Sequence, residues 1–315
     1  MLRTINNHHF PIVLVSILIL ALPLLTGSNY HLRVASVMFI YALAATGLNL
    51  LLGLAGQVSL GHAGFMGIGA YAVAVGPAHF GLPPLLSAVM GTAVASALAY
   101  VLGKPVLRLR GYYLAVGTLG CGLLIYMVLN NEAGWTGGPD GTSVPRLKIM
   151  GETVRSVSTW YYICGGALLI GLWLAINLRE SPTGRALRAI RDSEVAARVV
   201  GVDVARQKLF VFVVSAAYAS LAGSLLAFVN GHITPEATSG FLRSIELVTM
   251  VVLGGTASVL GPLAGAAILI VLPQVLTVFH EYEHLILGLI MMLCMILMRK
   301  GLVPSFTSWF KERSA

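Results

Sequence analysis

The sequence predicts an all-α polytopic membrane protein, and two features of its composition lead to that prediction. Hydrophobic residues make up 57% of the 315 residues and charged residues only 10%, against roughly 25% charged residues in a soluble globular domain. The apolar residues also form long runs, and about 20 helical residues cross a hydrocarbon core of ~30 Å. We therefore expect residues 1–315 to form a single transmembrane domain.

The apolar runs predict about ten transmembrane helices. They lie at residues 11–25, 32–52, 63–79, 84–103, 111–130, 160–178, 208–230, 244–257, 260–280 and 284–299. The first run resembles the core of a signal peptide, but no small-x-small cleavage site precedes Tyr30. We expect this run to remain in the protein as its first span.

The basic residues predict the orientation of these helices. With the N-terminus in the cytoplasm, fifteen of the twenty Lys and Arg residues fall on the cytoplasmic side and five on the outer side. That bias is typical of membrane proteins. It predicts cytoplasmic termini, a cytoplasmic segment at 179–207, a cytoplasmic tail at 300–315 and an outer loop at 131–159. It also explains the net charge of +8 without a nucleic-acid partner.

The stretch from 179 to 208 is the one long charged segment, and its pattern predicts a helix. Thr183 is the expected N-cap, and Gly201 is expected to end the helix after residue 200. Helical spacing predicts ion pairs of Arg188 with Asp192, of Arg191 with Glu194, and of Glu194 with Arg198, and a narrow apolar side of Leu187, Ile190 and Val195. Such a helix either lies on the anionic leaflet or docks a soluble partner.

A glycine-rich stretch at residues 47–71 predicts an irregular element inside the membrane. We expect a broken or re-entrant helix between Gly53 and Gly64, because glycines allow close helix approach and irregular backbone. Four polar side chains lie in or next to it, which are Asn49, Gln57, Ser59 and His62. Irregular backbone with polar groups at membrane depth lines a cavity or is buried in protein. The stretch therefore predicts a translocation path, and tight packing is the alternative.

A second stretch echoes the first. Residues 253–265, LGGTASVLGPLAG, compare with residues 52–64, LGLAGQVSLGHAG, and the match indicates an internal duplication, as occurs in transporters. Glu246 lies just before the second stretch. Its spacing predicts an ion pair with Arg243, and a role facing the cargo is the alternative.

Residues 280–284, HEYEH, fit the H-E-x-x-H pattern of zinc hydrolases. In that pattern His280 and His284 would bind the metal and Glu281 would activate water. The motif makes an intramembrane zinc metalloprotease an alternative function. Against it, the motif falls where one predicted span ends and the next begins, which disfavours a continuous helix presenting both histidines.

A phosphate-binding loop of the form G-x-x-x-x-G-K-[ST] does not occur in the sequence. We therefore expect no cofactor in this chain, and ATP with Mg would bind to separate ATPase chains if ATP drives transport. A basic cytoplasmic segment in a chain that lacks this loop favours docking of a soluble partner over adsorption to the membrane surface.

Four blocks of sequence occur in a familiar order. They are GLNLLLGLAGQVSLGHAGFMGIGAYAVA, the outer TGGPDG, the cytoplasmic SPTGRALRAIRDSEVAARVVGVDVARQKLFVFVVSAAYASLAGSL, and VVLGGTASVLGPLAGA. Together they resemble the LivM-type permeases of branched-chain amino-acid ABC importers. The resemblance covers about residues 41–276, so HEYEH lies outside it.

The resemblance implies a bacterial inner-membrane permease subunit, not an enzyme. It implies a LivH-type permease as partner, two cytoplasmic ATPase subunits and a periplasmic substrate-binding protein. The block carrying Gly184, Arg188, Asp192, Glu194 and Gly201 is similar to the element that couples such permeases to their ATPases. Transport would proceed by alternating access.

The sequence leaves more than one cargo and more than one energy source open. Branched-chain amino acids are the default cargo, and urea, short amides and aromatic acids are the others associated with related permeases. A proton- or ion-coupled carrier would need paired acids within the spans, and Glu246 is its one candidate.

Overall fold

Long apolar helices make up most of the chain in the computed structural model. The structure describes residues 10–25, 28–109, 111–149, 152–154, 156–256, 258–276, 288–289, 292, 296 and 301–305. The helices of the first half are α1 (Phe10–Leu25), α2 (Asn29–Asn49), α3 (His62–Phe80), α4 (Pro84–Val106), α5 (Tyr112–Asn131) and α6 (Ala133–Thr136). Those of the second half are α7 (Val157–Glu180), α8 (Pro182–Asp192), α9 (Glu194–Val199), α10 (Val204–Asn230), α11 (Pro235–Ser239), α12 (Phe241–Gly254) and α13 (Gly261–Leu276).

Seven of the described helical stretches are long and apolar enough to cross a membrane. They are Asn29–Leu54, His62–Phe80, Pro84–Val106, Tyr112–Asn131, Val157–Glu180, Val204–Asn230 and Pro235–Gly254, and two shorter apolar helices cover Pro11–Leu24 and Gly261–Gln274. The chain is therefore a multi-pass membrane protein. The total of ten spans stays a prediction, because most of the span at 284–299 lies outside the described residues.

Several helices begin before the apolar runs that predicted them, whereas α12 ends at Gly254, three residues short of its predicted end at 257. α2 and α7 begin three residues earlier than predicted, and α10 begins four residues earlier. Asp203 explains the start of α10, since its side chain accepts a hydrogen bond from the backbone N–H of Arg206 at 3.1 Å. Hydropathy marks the part of a helix that lies in lipid, whereas a polar cap extends the helix into water.

The described residues are mostly helical, and they also include four short strands, three in the loop at 131–159 and one after α10. They are β1 (Thr142–Ser143), β2 (Lys148–Ile149), β3 (Glu152–Thr153) and β4 (His232–Ile233). β1 pairs with β4 and β2 pairs with β3, both antiparallel. The β1–β4 pair attaches the turn-rich loop at 131–159 to the end of α10. Because Thr142 pairs with Ile233, far along the chain, local pattern does not encode this pairing.

α10 occupies the centre of the bundle and packs against α2, α3 and α4. Hydroxyl groups on α10 donate to backbone carbonyls of its neighbours, Ser215 to Gly47 at 2.7 Å and Tyr218 to Gly171 at 2.7 Å. Ala219 and Ala222 are fully buried. Small residues let helix backbones approach closely in a membrane protein, and the hydroxyls then reach carbonyls across the interface.

Candidate functional site

The helical structure breaks where the glycine-rich stretch predicted. After α2, a π-helical turn runs from Leu50 to Leu54, and residues 56–61 are irregular before α3 begins at His62. Gly56 has a φ of 67°, which a side chain would disfavour. We call residues 56–61 the first break. It confirms the predicted interruption of the helix between Gly53 and Gly64.

The polar side chains of this region are buried, and several of their atoms have no hydrogen-bond partner among the described residues. Gln57, Ser59 and His62 are at most 2% exposed. The partnerless atoms are Oε1 and Nε2 of Gln57, Oγ of Ser59, Nδ1 of His62 and Oδ1 of Asn49. A buried polar group without a partner costs about 1–3 kcal/mol. Such a cluster therefore indicates a place for water or for a polar ligand.

Two other helices hold the first break in position. The Thr118 hydroxyl of α5 accepts from the backbone N–H of Leu60 at 3.1 Å. The Ser244 hydroxyl of α12 accepts from the N–H of Ala63 at 3.2 Å. Gly61 lies so close to α5 that an added Cβ would sit 2.0 Å from the carbonyl oxygen of Thr118. The His62 ring adds one contact to α10, with Nε2 at 3.2 Å from the Ser215 hydroxyl.

A second break separates the end of α12 at Gly254 from the start of α13 at Gly261, and its described residues are 255, 256 and 258–260. It packs against Asn49 and Gly53. The side-chain N–H of Asn49 donates to the carbonyl of Ser258 at 2.9 Å. A Cβ added to Gly53 would lie 2.0 Å from the carbonyl oxygen of Thr256. The two stretches that echo each other in sequence are therefore in contact, although the duplication itself stays a prediction.

We call the helical part of the charged stretch, residues 182–199, the charged segment. Its N-cap differs from the predicted one. Ser181, and not Thr183, is the N-cap of α8, because its hydroxyl accepts from the N–H of Gly184 at 3.1 Å. Pro182 occupies the first helical position, where a missing N–H costs nothing. Gly184 is buried, and its added Cβ would lie 2.3 Å from the carbonyl oxygen of Leu178.

The predicted single helix is in fact two helices, α8 and α9, joined at Ser193. Ser193 has an extended backbone, and its hydroxyl accepts from the N–H of Ala196 at 3.2 Å, so it caps α9. Gly201 follows α9 with a φ of 83°, which confirms the predicted end.

Two of the three predicted ion pairs do not form, and the bend at Ser193 accounts for one of them, because it lies between Arg191 and Glu194. Those of Arg188 with Asp192 and of Arg191 with Glu194 are not among the ion pairs of the described residues. Glu194 pairs with Arg198 at 3.6 Å, as predicted. It also pairs with Lys208, which is only 6% exposed at the start of α10. Sequence reasoning missed this pair, because the two residues lie on different helices.

The bend also changes which apolar residues are buried. Leu187, Ile190 and Ala197 are buried against the bundle, as an amphipathic helix requires. Val195 was predicted on the buried apolar side of the helix but is 71% exposed. Val199 at the end of α9 and Val200 directly after it are 82% and 75% exposed. We call these three valines the valine patch. It presents apolar surface outside the candidate membrane spans.

Arg191 connects the charged segment to the first break. Its Nη1 donates to the carbonyl oxygen of Gly53 at 2.5 Å, and its side chain lies next to Gly56. The segment that carries the predicted coupling residues therefore contacts the stretch that carries the predicted path residues, although the two bonded residues lie 138 positions apart in sequence.

The sequence also predicted an ion pair of Arg243 with Glu246 and a candidate zinc motif at residues 280–284. Arg243 donates to Glu246 at 2.7 Å, so the predicted pair is confirmed. His280, Glu281 and His284 lie outside the described residues. Within the residues that are described, no group of three or more His, Cys, Asp or Glu could hold a metal ion.

These features define a multi-pass helical membrane protein with a buried polar break. The family model described as branched-chain amino acid transport system / permease component matches residues 30–295. The chain therefore belongs to this permease family.

Curated relatives agree with this assignment. The high-affinity branched-chain amino acid transport system permease protein LivM of Salmonella typhimurium is 34% identical over 91% of this chain and 73% of its own length. The LivH permease protein of the same system and organism is 26% identical over 84% of this chain and 91% of its own length. The fructose import permease protein FrcC of Rhizobium meliloti is 27% identical over 68% and 62%. No solved structure matches the chain.

Family membership confirms the resemblance and the prediction of a transport permease subunit that is not an enzyme. It gives the metalloprotease alternative no support.

Proposed function

We propose that this chain is the membrane-spanning permease subunit of an ATP-driven ABC importer. It would move branched-chain amino acids, or related small amino acids and amides, into the cell by alternating access. The observation that carries the proposal is the hydrogen bond from Arg191 to the carbonyl of Gly53. It joins a segment suited to docking a partner to a break suited to passing polar cargo.

The proposed importer contains several further subunits. They are a LivH-type permease, two cytoplasmic ATPase subunits and a periplasmic substrate-binding protein, assembled at a bacterial inner membrane with both termini of this chain in the cytoplasm. Similarity to both LivM and LivH supports pairing of two related permeases. ATP and Mg bind to the ATPase subunits in this proposal, and no nucleic acid takes part.

The valine patch is the proposed contact for an ATPase subunit. Three exposed valines beside the charged side chains of Asp192 and Arg198 form apolar surface with a polar rim, the usual make-up of a protein interface. We assign different roles to the coupling residues Gly184, Arg188, Asp192, Glu194 and Gly201. The glycines shape the segment, Glu194 fastens it to Lys208, Asp192 is free to meet the partner, and Arg188 lies towards the bundle.

The first break is the proposed path element, which we take to be re-entrant. Asn49, Gln57, Ser59 and His62 offer hydrogen-bonding groups that lack partners among the described residues. None of the four carries a carboxylate, ammonium or guanidinium group, which suits a zwitterionic or neutral cargo better than an ion of one sign. Because three of them are almost fully buried, this conformation is closed at the break, and transport requires it to open.

The proposed mechanism moves these parts in sequence. The ATPase subunits supply the energy and displace α8, Arg191 transmits the displacement to Gly53, and the first break opens towards one side of the membrane. A ligand can shift this equilibrium only by the difference in its affinity for the two states. The importer therefore needs cargo and ATPase contacts that differ between the states.

Gln57→Leu in the reconstituted importer tests the path. We expect ATP-driven leucine uptake to fall at least tenfold, because Leu has no hydrogen-bonding group to offer the cargo, while the ATPase subunits still co-purify. Gln207→Leu, the same change on the first turn of α10, is the control and should keep its uptake. Unchanged uptake in Gln57→Leu would contradict the assigned path.

A separate measurement tests the cargo. The cognate substrate-binding protein should bind leucine, isoleucine or valine in titration calorimetry, because selectivity is expected to lie largely in that protein. Binding of urea or an aromatic acid with no leucine binding would overturn the proposed cargo. The permease assignment would stand, since it depends on uptake and on ATPase co-purification.

A further inference from the structure

Three arginine side chains line one small cavity where α8 meets the bundle. Arg179 comes from the end of α7, and Arg188 and Arg191 come from α8. The lining also includes Asn49 of α2 and two residues of the second break, Thr256 and Ser258. The cavity volume is ≈ 80 Å³. Helices from three parts of the chain therefore meet around a concentrated positive charge.

Among the residues that the structure describes, no acidic side chain lines this cavity. Of the acids in the charged segment, Asp192 is exposed, and Glu194 pairs with Arg198 and Lys208. Among the described residues, no ion pair involves any of the three cavity arginines. Like charges held together in a partly enclosed space repel one another more strongly than in bulk water. An anion in the cavity would remove that repulsion.

The donors in the cavity suit one class of anion. Guanidinium groups present several N–H donors in a plane, which matches the oxygens of phosphate, often with two parallel hydrogen bonds. Thr256 and Ser258 add uncharged residues to the lining. The cavity exceeds the roughly 30 Å³ that one water molecule occupies in the liquid, so it can hold a group of several non-hydrogen atoms.

The location of the cavity argues against an ATPase side chain as the occupant. Arg191 projects from the side of α8 that carries the buried Gly184 and Leu187, and it reaches the carbonyl of Gly53. The valine patch and Asp192 are exposed. Arg191 is itself exposed, whereas Arg179 and Arg188 are half-buried, so a partner docked on the exposed groups would meet Arg191 but not the inner wall of the cavity.

We propose that the Arg179, Arg188 and Arg191 cavity binds a phosphate-type oxyanion. The anion bridges α7, α8 and the second break, and it fastens the charged segment to the bundle. Its source is either free phosphate or the headgroup of an anionic phospholipid, since both present the same oxygens. The site does not depend on the proposed transport function, because its binding is measured on the purified chain alone.

Two binding measurements on the full-length purified chain test the site. The first follows the melting temperature in detergent as inorganic phosphate is added, with chloride at equal ionic strength as reference. The second uses native mass spectrometry to detect phosphatidylglycerol retained from nanodiscs that also contain phosphatidylcholine. Each measurement compares wild type with Arg188→Gln, Arg179→Gln and the control Arg206→Gln, an exposed arginine that does not line the cavity.

We expect each cavity substitution to weaken binding about tenfold or more, since a charge-assisted hydrogen bond contributes about 1.5–3 kcal/mol. Arg206→Gln should stay within twofold of wild type. Stabilisation by phosphate identifies a free anion as the source, and selective retention of phosphatidylglycerol identifies a lipid headgroup. The proposal is overturned if neither probe binds or if both cavity variants bind like wild type.

Discussion

The charged segment at residues 182–199 and the first break at residues 56–61 both interrupt the series of long helices, but they satisfy their polar groups differently. The charged segment caps its own helices with Ser181 and Ser193. The first break has no such cap, since α3 starts at a glycine without a side-chain cap, and it depends on Thr118 and Ser244 from other helices. A segment stabilised by its own residues can move as a rigid unit, whereas one held by its neighbours changes when they move.

The largest expected effect comes from the close contact that holds the first break. Gly61→Ala would bring a Cβ to 2.0 Å from the carbonyl oxygen of Thr118, so α5 or the break must shift. Overpacking of this kind costs about 1–3 kcal/mol. We expect a marked fall in melting temperature and at least a tenfold loss of uptake in the reconstituted importer.

Gly120→Ala is the matched control for this substitution. It makes the same change on α5, where an added Cβ would meet nothing within 4 Å. We expect stability to stay within about 0.5 kcal/mol of wild type, as for most substitutions away from tight contacts. Equal melting temperatures for the two variants would show that the break does not depend on its contact with α5.

Sequence alone predicted those features that local residue chemistry determines. The glycines and polar residues between Gly53 and Gly64 predicted the break, Gly201 predicted the end of α9, and the spacing of Arg243 and Glu246 predicted their ion pair. Each depends on residues within a few positions of one another. The same reasoning placed the start of α8 at Thr183, because Ser181 and Thr183 are both good caps and local pattern does not distinguish them.

The contacts that make the site one region could not be predicted in this way. The hydrogen bond from Arg191 to Gly53 joins residues 138 positions apart, and that from Asn49 to Ser258 joins residues 209 apart. The bend at Ser193 redirected Glu194 towards Lys208 and exposed Val195. The prediction assumed one continuous helix. It therefore paired Glu194 with Arg191 and assigned Val195 to the buried face, and both assignments were wrong.

A smaller effect on stability is expected to distinguish the two acids of the charged segment, Glu194, which pairs with Lys208, and Asp192, which is exposed. Glu194→Gln leaves the buried Lys208 without its carboxylate. We expect the free energy of unfolding to fall by about 1–2 kcal/mol. This is less than the roughly 3–5 kcal/mol lost when a fully buried ion pair is broken, because Glu194 is 31% exposed. Thermal unfolding measures this loss, and Lys208→Met in the Glu194→Gln background should recover part of it.

Asp192→Asn serves as the comparison on the same segment. Asp192 is exposed and forms no ion pair with a described residue, so stability should stay within about 0.5 kcal/mol. If it contacts an ATPase subunit, its substitution lowers uptake per ATP hydrolysed while the chain still assembles. Equal destabilisation by the two substitutions would contradict the distinction between an anchoring and a docking acid.

The smallest expected effect tests how the charged segment begins. Ser181→Ala removes the hydroxyl that accepts from Gly184 and itself donates to the carbonyl of Leu178, and loss of an N-cap costs about 1 kcal/mol. Thr183→Ala keeps that cap and should change stability by less than about 0.5 kcal/mol. A greater loss from Thr183→Ala would restore Thr183 as the cap. A loss confined to Ser181→Ala would show that the charged segment is stabilised at its own end, which is what a rigid link between a docked ATPase and the first break requires.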